Sequence, residues 1–177
     1  MNNASSISVD VLNVEQGYAV ISELNTLLID TVASGASVGF LPPLIAEESS
    51  TYWNSVLDKV AQQTCVLMIA RYADKVVGSV QLELATKPNA RHRAEVQKLF
   101  VLQSQRKQGI GKLLMQAIER VAQEYERTLL VLDTRQGDIA EQLYRKLGYI
   151  EAGVIPSYAR GATGSLDATI FFYKLLA

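Results

Sequence analysis

One cysteine, one histidine and one tryptophan occur in this chain of 177 residues, and the scarcities remove whole classes of function. A lone cysteine forms no intrachain disulfide, which suits a reducing compartment. Cys65 lies in the apolar run "CVLMIA" with no cation or histidine close in sequence, so it reads as a buried thiol and not a nucleophile. His92 stands between Arg91 and Arg93 and reads as a solvated surface side chain. No metal site is expected. No stretch approaches the roughly 20 apolar residues of a membrane span. The opening "MNNASSISVD" lacks the basic start and apolar core of a signal peptide. Lys and Arg form no block, and the formal net charge is -1. Nucleic acid, which calls for a basic patch, is therefore not an expected partner, and neither is a membrane. The expectation is a cytoplasmic protein.

What is present is an ordinary globular composition, 49% apolar and 20% charged, expected as one domain over residues 1–177. "ISVDVLN" alternates as a short strand. Residues 14–32 read as one helix, with Val20, Ile21, Leu24, Leu27 and Leu28 on one face. A loop punctuated by glycine and proline, "ASGASVGFLPPL", leads to a second helix over residues 47–63. "CVLMIARY" and "VVGSVQLELAT" flank a polar turn and read as a hairpin. "AEVQKLFV" is a further strand, residues 109–125 a helix with a wide apolar stripe, and "LLVLDT" a central strand. Residues 138–147 form a helix that Gly148 ends. "YIEAGVI" and "ATIFFYKLL" close the sheet, with "IPSYARGATG" as a loop between them. The fold class is α/β: a mixed, mostly antiparallel sheet flanked by helices. Its β–α–β unit, over residues 94–134, contributes one parallel pair.

"QRKQGIGKLL" opens that unit's helix straight from a turn. The first amides of a helix have no internal partner, and the macrodipole places positive potential on them. Gly109 and Gly111 admit close approach, while Arg106, Lys107 and Lys112 add charge. The turn reads as a phosphate or pyrophosphate site. A Walker loop is excluded, because Arg106 stands in place of the lead glycine and Leu113 in place of the hydroxyl residue. A dinucleotide fingerprint is excluded by Leu114 at the third glycine place.

Arg106, Gly109 and Gly111 fit the pattern Arg/Gln-x-x-Gly-x-Gly/Ala, and "GDIAEQLYRKLGYIEAGV" follows at a matching separation, with Ala140, Tyr144, Gly148 and Tyr149 in register. In these two motifs the chain resembles the GCN5-related N-acetyltransferases, over roughly residues 65–176. Gly137 stands where that family often has asparagine, and Gln103 where proline is common. "GASVGF", "KPNARHRAEVQKLFV", "LDTRQGDIAEQLY" and "IPSYA" look in particular like the tabtoxin-resistance acetyltransferases, which acetylate the amine of a β-lactam amino acid.

The resemblance implies acetyl-coenzyme A as co-substrate. Its pyrophosphate would lie on Arg106, Lys107, Gln108, Gly109, Ile110, Gly111 and Lys112. Its pantetheine arm would run along the backbone of Leu99, Phe100 and Val101, with Gly137 across from them. Glu95 and Asp133 are the candidate bases or amine ligands, positions the resemblance also assigns to the active site; as plain structural residues they would cap turns or pair with arginine. The resemblance makes Tyr144 the acid that protonates the thiolate, although it also fits its helix's apolar stripe. Val38, Gly39, Phe40 and Tyr158, with Trp53 behind them, are the candidate acceptor-pocket residues. With no activated serine or cysteine in view, transfer would be direct, to the amine of a small molecule. A protein or peptide N-terminus as acceptor, and a non-catalytic acyl-coenzyme-A sensor, are the two rival readings. A homodimer is left open.

Overall fold

A computed structural model describes residues 6–177. The first five residues, which the expected domain included, lie outside the described residues. The chain runs β1 (Ser8–Leu12), α1 (Val14–Ala19), α2 (Ile21–Ala33), α3 (Ala46–Ala61), β2 (Cys65–Tyr72), β3 (Lys75–Leu84), β4 (Arg93–Val101), α4 (Ile110–Glu124), β5 (Leu129–Arg135), α5 (Ile139–Lys146), β6 (Ile150–Arg160) and β7 (Leu166–Leu175). Seven strands form one sheet in the order β1-β2-β3-β4-β5-β7-β6. Only β4 and β5 are parallel, and α4 joins them.

The apolar run of β2 is continuous because both faces of the sheet are covered. Val66, Met68 and Ala70 point into a core with Ile110, Leu114 and Ile118 of α4. Leu67 and Ile69 point the other way, onto Leu24, Leu27 and Leu28 of α2 and Trp53 and Leu57 of α3. A fully buried side chain of this size contributes about 1.5–3 kcal/mol, so the two layers lock the central strands from both sides.

Two expectations are corrected. The single helix over residues 14–32 is two helices, broken at Val20, which has φ -111° and ψ 13°. The apolar stripe keeps its phase across the break, so periodicity could not place it. The local signal is Gly17, which approaches the side chain of Leu57 too closely for any Cβ. The expected loop around Tyr158 is instead most of β6, which runs to Arg160. Its pairing with β7 shifts register near Gly153 and again between Ile155 and Ala159. Pro156 lacks an N–H and is tolerated because β6 is the sheet's edge.

Candidate active site

β4 and β5 pair over only three positions, ending at Glu95 opposite Val131. Beyond that point both strands continue, β4 to Val101 and β5 to Arg135, but they no longer bond to each other. The strands part there, with Glu95 at the last paired position of β4 and Asp133 two residues beyond Val131 on β5.

At the end of β4 stands the glycine turn. Gly109 precedes α4 at φ 81°, and Lys107 is also left-handed at φ 65°. Left-handed residues interleaved with right-handed ones turn successive amides toward one concavity. Within the described residues the backbone N–H groups of residues 107–112 donate to no protein acceptor; the first bond is from Leu113 N to Gly109 O. Lys107 and Lys112 enter no ion pair among the described residues. Six open amides, two free ammonium groups and a helix start of 15 residues suit a diphosphate. A Cβ at Gly111 would make ordinary contacts with Leu143, Leu99 and Val101 at 3.4–4.0 Å, so the close fit of the helix start does not depend on this glycine.

Arg106 has a further use in the fold. Its guanidinium donates to Val101 O at 3.2 Å and to Ser34 Oγ at 2.7 Å. Gln103 N donates to Asp30 at 2.8 Å. These bonds brace the turn against α2. The side chain of Phe100 is core, and the Val101 carbonyl is taken by Arg106. Gly137, at φ 86°, gives its N–H to Glu141 at 3.0 Å.

Glu95 and Asp133 share one face of the sheet. Alternation sends their neighbours Ala94, Val96, Leu130 and Leu132 into the α4 core, and the register sets Glu95 beside Val131, two residues before Asp133. Both carboxyls titrate above their ordinary range. For Glu95 the largest cause is lost hydration, then the charges of Asp133 and Glu83. For Asp133 it is again lost hydration, opposed by Lys98 and by a hydrogen bond from Thr169 at 3.5 Å. The charge of Asp133 thus adds to burial in holding the proton on Glu95.

Tyr144 comes from the opposite side. It is 6% exposed and packs on Tyr149 and Phe172, with ring centroids at 5.9 and 6.1 Å. Its phenol is pushed well up from its usual value, first by burial and then by Asp133 and Asp138.

The acceptor-pocket candidates divide. Lys98 Nζ donates to Val38 O at 2.6 Å and stands 6.0 Å from the centre of the Phe40 ring, and a Cβ on Gly39 would lie 3.2 Å from that same Nζ. Tyr158 is 51% exposed and edge-on to Phe171 at 5.6 Å. Trp53 is corrected to a core residue. It has no exposed surface, and its indole N–H donates to Leu24 O at 2.9 Å. It reaches the pocket only through Tyr52, whose ring lies 5.1 Å from its own and 5.2 Å from that of Phe40.

Three residues at this face escaped the sequence reading: Lys98, Tyr52 and Gln81, the last donating to the Tyr52 hydroxyl at 2.7 Å. A lysine inside the apolar run "AEVQKLFV" was the available signal for the first. Tyr52 and Gln81 carried none. Among the described residues no three metal-ligating side chains converge, and no helix is long and apolar enough to cross a membrane.

Residues 37–149 match the acetyltransferase (GNAT) family. Solved structures share the whole fold. An N-acetyltransferase from Staphylococcus aureus Mu50 superposes with a TM-score of 0.81 at 16% identity, covering 98% of this chain and 100% of its own. A ribosomal-protein-alanine N-acetyltransferase from Brucella melitensis gives 0.79 at 19%, covering 96% and 99%. The yncA protein of Salmonella typhimurium, whose structure includes its cofactor acetyl-CoA, gives 0.78 at 13%, covering 98% and 95%.

Proposed function

The chain belongs to the acetyltransferase (GNAT) family, and from that premise we propose that it transfers an acetyl group from acetyl-coenzyme A directly to the amine of a small molecule. The observation that carries this reading is the juxtaposition along β4: six unpartnered amides at the end of β4, and two carboxyls where β4 and β5 part. Bound there, the cofactor supplies an activated acetyl thioester.

The residues then divide the work. The amides of residues 107–112, with Lys107 and Lys112, hold the diphosphate and fix the direction of the arm. Glu95 or Asp133 takes the proton of the incoming ammonium, so that the free amine attacks; raised carboxyl pKa values bring either base closer to the amine's own range. Tyr144 gives its hydroxyl proton to the sulfur as the carbon–sulfur bond breaks, and the second proton, shed by the nitrogen as it becomes an amide, returns to the phenolate through water. Burial keeps the phenol protonated until then, and the same dry surroundings disfavour a free thiolate and so favour its protonation. Val38, Gly39, Phe40 and Tyr158 would form the acceptor's walls. An amino-acid-like or β-lactam amine, and with it a role in toxin resistance, is the finer reading, supported by the motif resemblance to tabtoxin-resistance enzymes. A cytoplasmic setting is supported by the single, buried cysteine.

The test is thiol release from acetyl-coenzyme A across a panel of small amines, with mass spectrometry of a cell extract incubated with enzyme and labelled cofactor. Acetylated small amines support the proposal. Label confined to protein N-termini replaces the acceptor class, and tight cofactor binding without any turnover replaces the enzyme with a sensor.

A further inference from the structure

Lys98 enters neither the resemblance nor the mechanism, yet its ammonium is fastened to the segment that carries the acceptor-pocket candidates. Its backbone is left-handed, at φ 54°. The pairing explains why: Gln81 is opposite Gln97, but Ser79 is opposite Phe100, so three steps on β4 match two on β3. This is a bulge, and it redirects the side chain it carries. Strict alternation from Glu95 would have sent Lys98 with Val96 into the α4 core. Instead its ammonium is on the acid face, half-buried, bonded to Val38 O at 2.6 Å and near the Phe40 ring. Gly39 leaves it room, since a Cβ there would come within 3.2 Å.

We propose that Lys98 is a positioning residue: it clamps residues 38–40 over the acceptor face and keeps its ammonium on the side of the sheet that carries Glu95 and Asp133. The groups around these charges are few. Asp133 takes a hydrogen bond from Thr169 of β7 and is within electrostatic reach of Lys98 and Glu95 of β4 and of Tyr144 of α5. Lys98 is faced by Asp133, Glu95 and, more weakly, Lys59 of α3; Glu95 is also faced by Glu83 and Arg93. Burial costs the ammonium part of its basicity, while the two acids restore some of it. Lys98 in turn lowers Asp133 against its own loss of water. Lys98 therefore serves two groups at once: it holds the pocket wall by a carbonyl and biases the nearby acid toward its ionised form.

The inference rests on the acceptor-side reading of this face, and its test avoids turnover so that the two can fail separately. Lys98→Met keeps the methylene stem and removes the charge, while circular dichroism checks that the fold persists. Chymotrypsin cleavage after Phe40, identified by fragment mass, should accelerate about tenfold, the weight of one hydrogen bond from a charged donor. The Asp133 carboxyl, followed by carbon NMR, should titrate at higher pH in the variant, because its stabilising cation is gone. Unchanged cleavage overturns the clamp. Faster cleavage with an unmoved Asp133 titration reduces Lys98 to a structural tether and also overturns the proposal. Lack of acetylation by the wild-type protein on every amine would sink the proposed function and leave both these readouts standing.

Discussion

Replacing Gly109 with alanine isolates the backbone's share of the anion site. No atom lies within 4 Å of a Cβ built at Gly109, so the substitution introduces no clash. The penalty is the left-handed conformation at φ 81°, about 1–2 kcal/mol for a residue with a side chain. That free energy has two places to appear. If the turn keeps its shape, folding absorbs it, and a chain of this length should melt roughly 2–8 °C lower. If the turn relaxes, the amides of residues 107–112 cease to converge, and coenzyme A affinity falls by a factor of about 5–30. Gly111→Ala is the matched control. Its φ is not left-handed, its Cβ would make ordinary contacts with Leu143, Leu99 and Val101, and alanine improves a helix over glycine by about 0.8–1 kcal/mol. It should melt about 2–4 °C higher and bind coenzyme A within about twofold of the parent. Differential scanning calorimetry and isothermal titration with coenzyme A read both channels. A Gly109→Ala protein unchanged in melting and in affinity would refute the reasoning, as would a Gly111→Ala protein that loses affinity equally.

Two further substitutions probe the chemistry. Tyr144→Phe should lower turnover by about a hundredfold or more, the ordinary weight of a general acid, with coenzyme A affinity intact; a normal rate in a stopped-flow thiol assay removes the acid role. Glu95→Gln carries a sign that runs against activity. A carboxyl whose folded pKa lies above its unfolded value of about 4.3 holds its proton more tightly when folded. Stability therefore falls as pH rises through the interval between the two values and is level above it. The variant should melt higher than the parent at pH 7, with the advantage shrinking toward pH 4, while its acetylation rate drops. Lower melting at pH 7 would mean that the Glu95 carboxylate is favourably held, contrary to its surroundings of Asp133 and Glu83.

Most of the fold was legible because its signals are local. The boundaries of "CVLMIARY" coincide with β2, and the stripe after Gly109 is α4 almost to the residue. The errors fell where a distant partner decided the matter. Next to the break at Val20, Gly17 packs against the side chain of Leu57, forty residues further on. The extension of β6 past Pro156 answers to its place at the edge beside β7. Trp53 sits at the helical spacing that both a pocket wall and a core residue would show, and only its burial separated the two. The second use of Arg106, as a brace of the turn, was hidden for the same reason: Ser34, which its guanidinium reaches at 2.7 Å, lies 72 residues earlier.

By itself the sequence determined the strand, the glycine turn and the helix that leave six amides open, because backbone handedness and helix ends are properties of a few consecutive residues. It also determined which carboxyls lie in otherwise apolar strands. Only the tertiary structure decided that β4 and β5 separate just beyond Glu95, and that a one-residue mismatch with β3 swings Lys98 onto the acid face. Both come from how neighbouring strands count against each other, and no stretch of chain contains its partner's count.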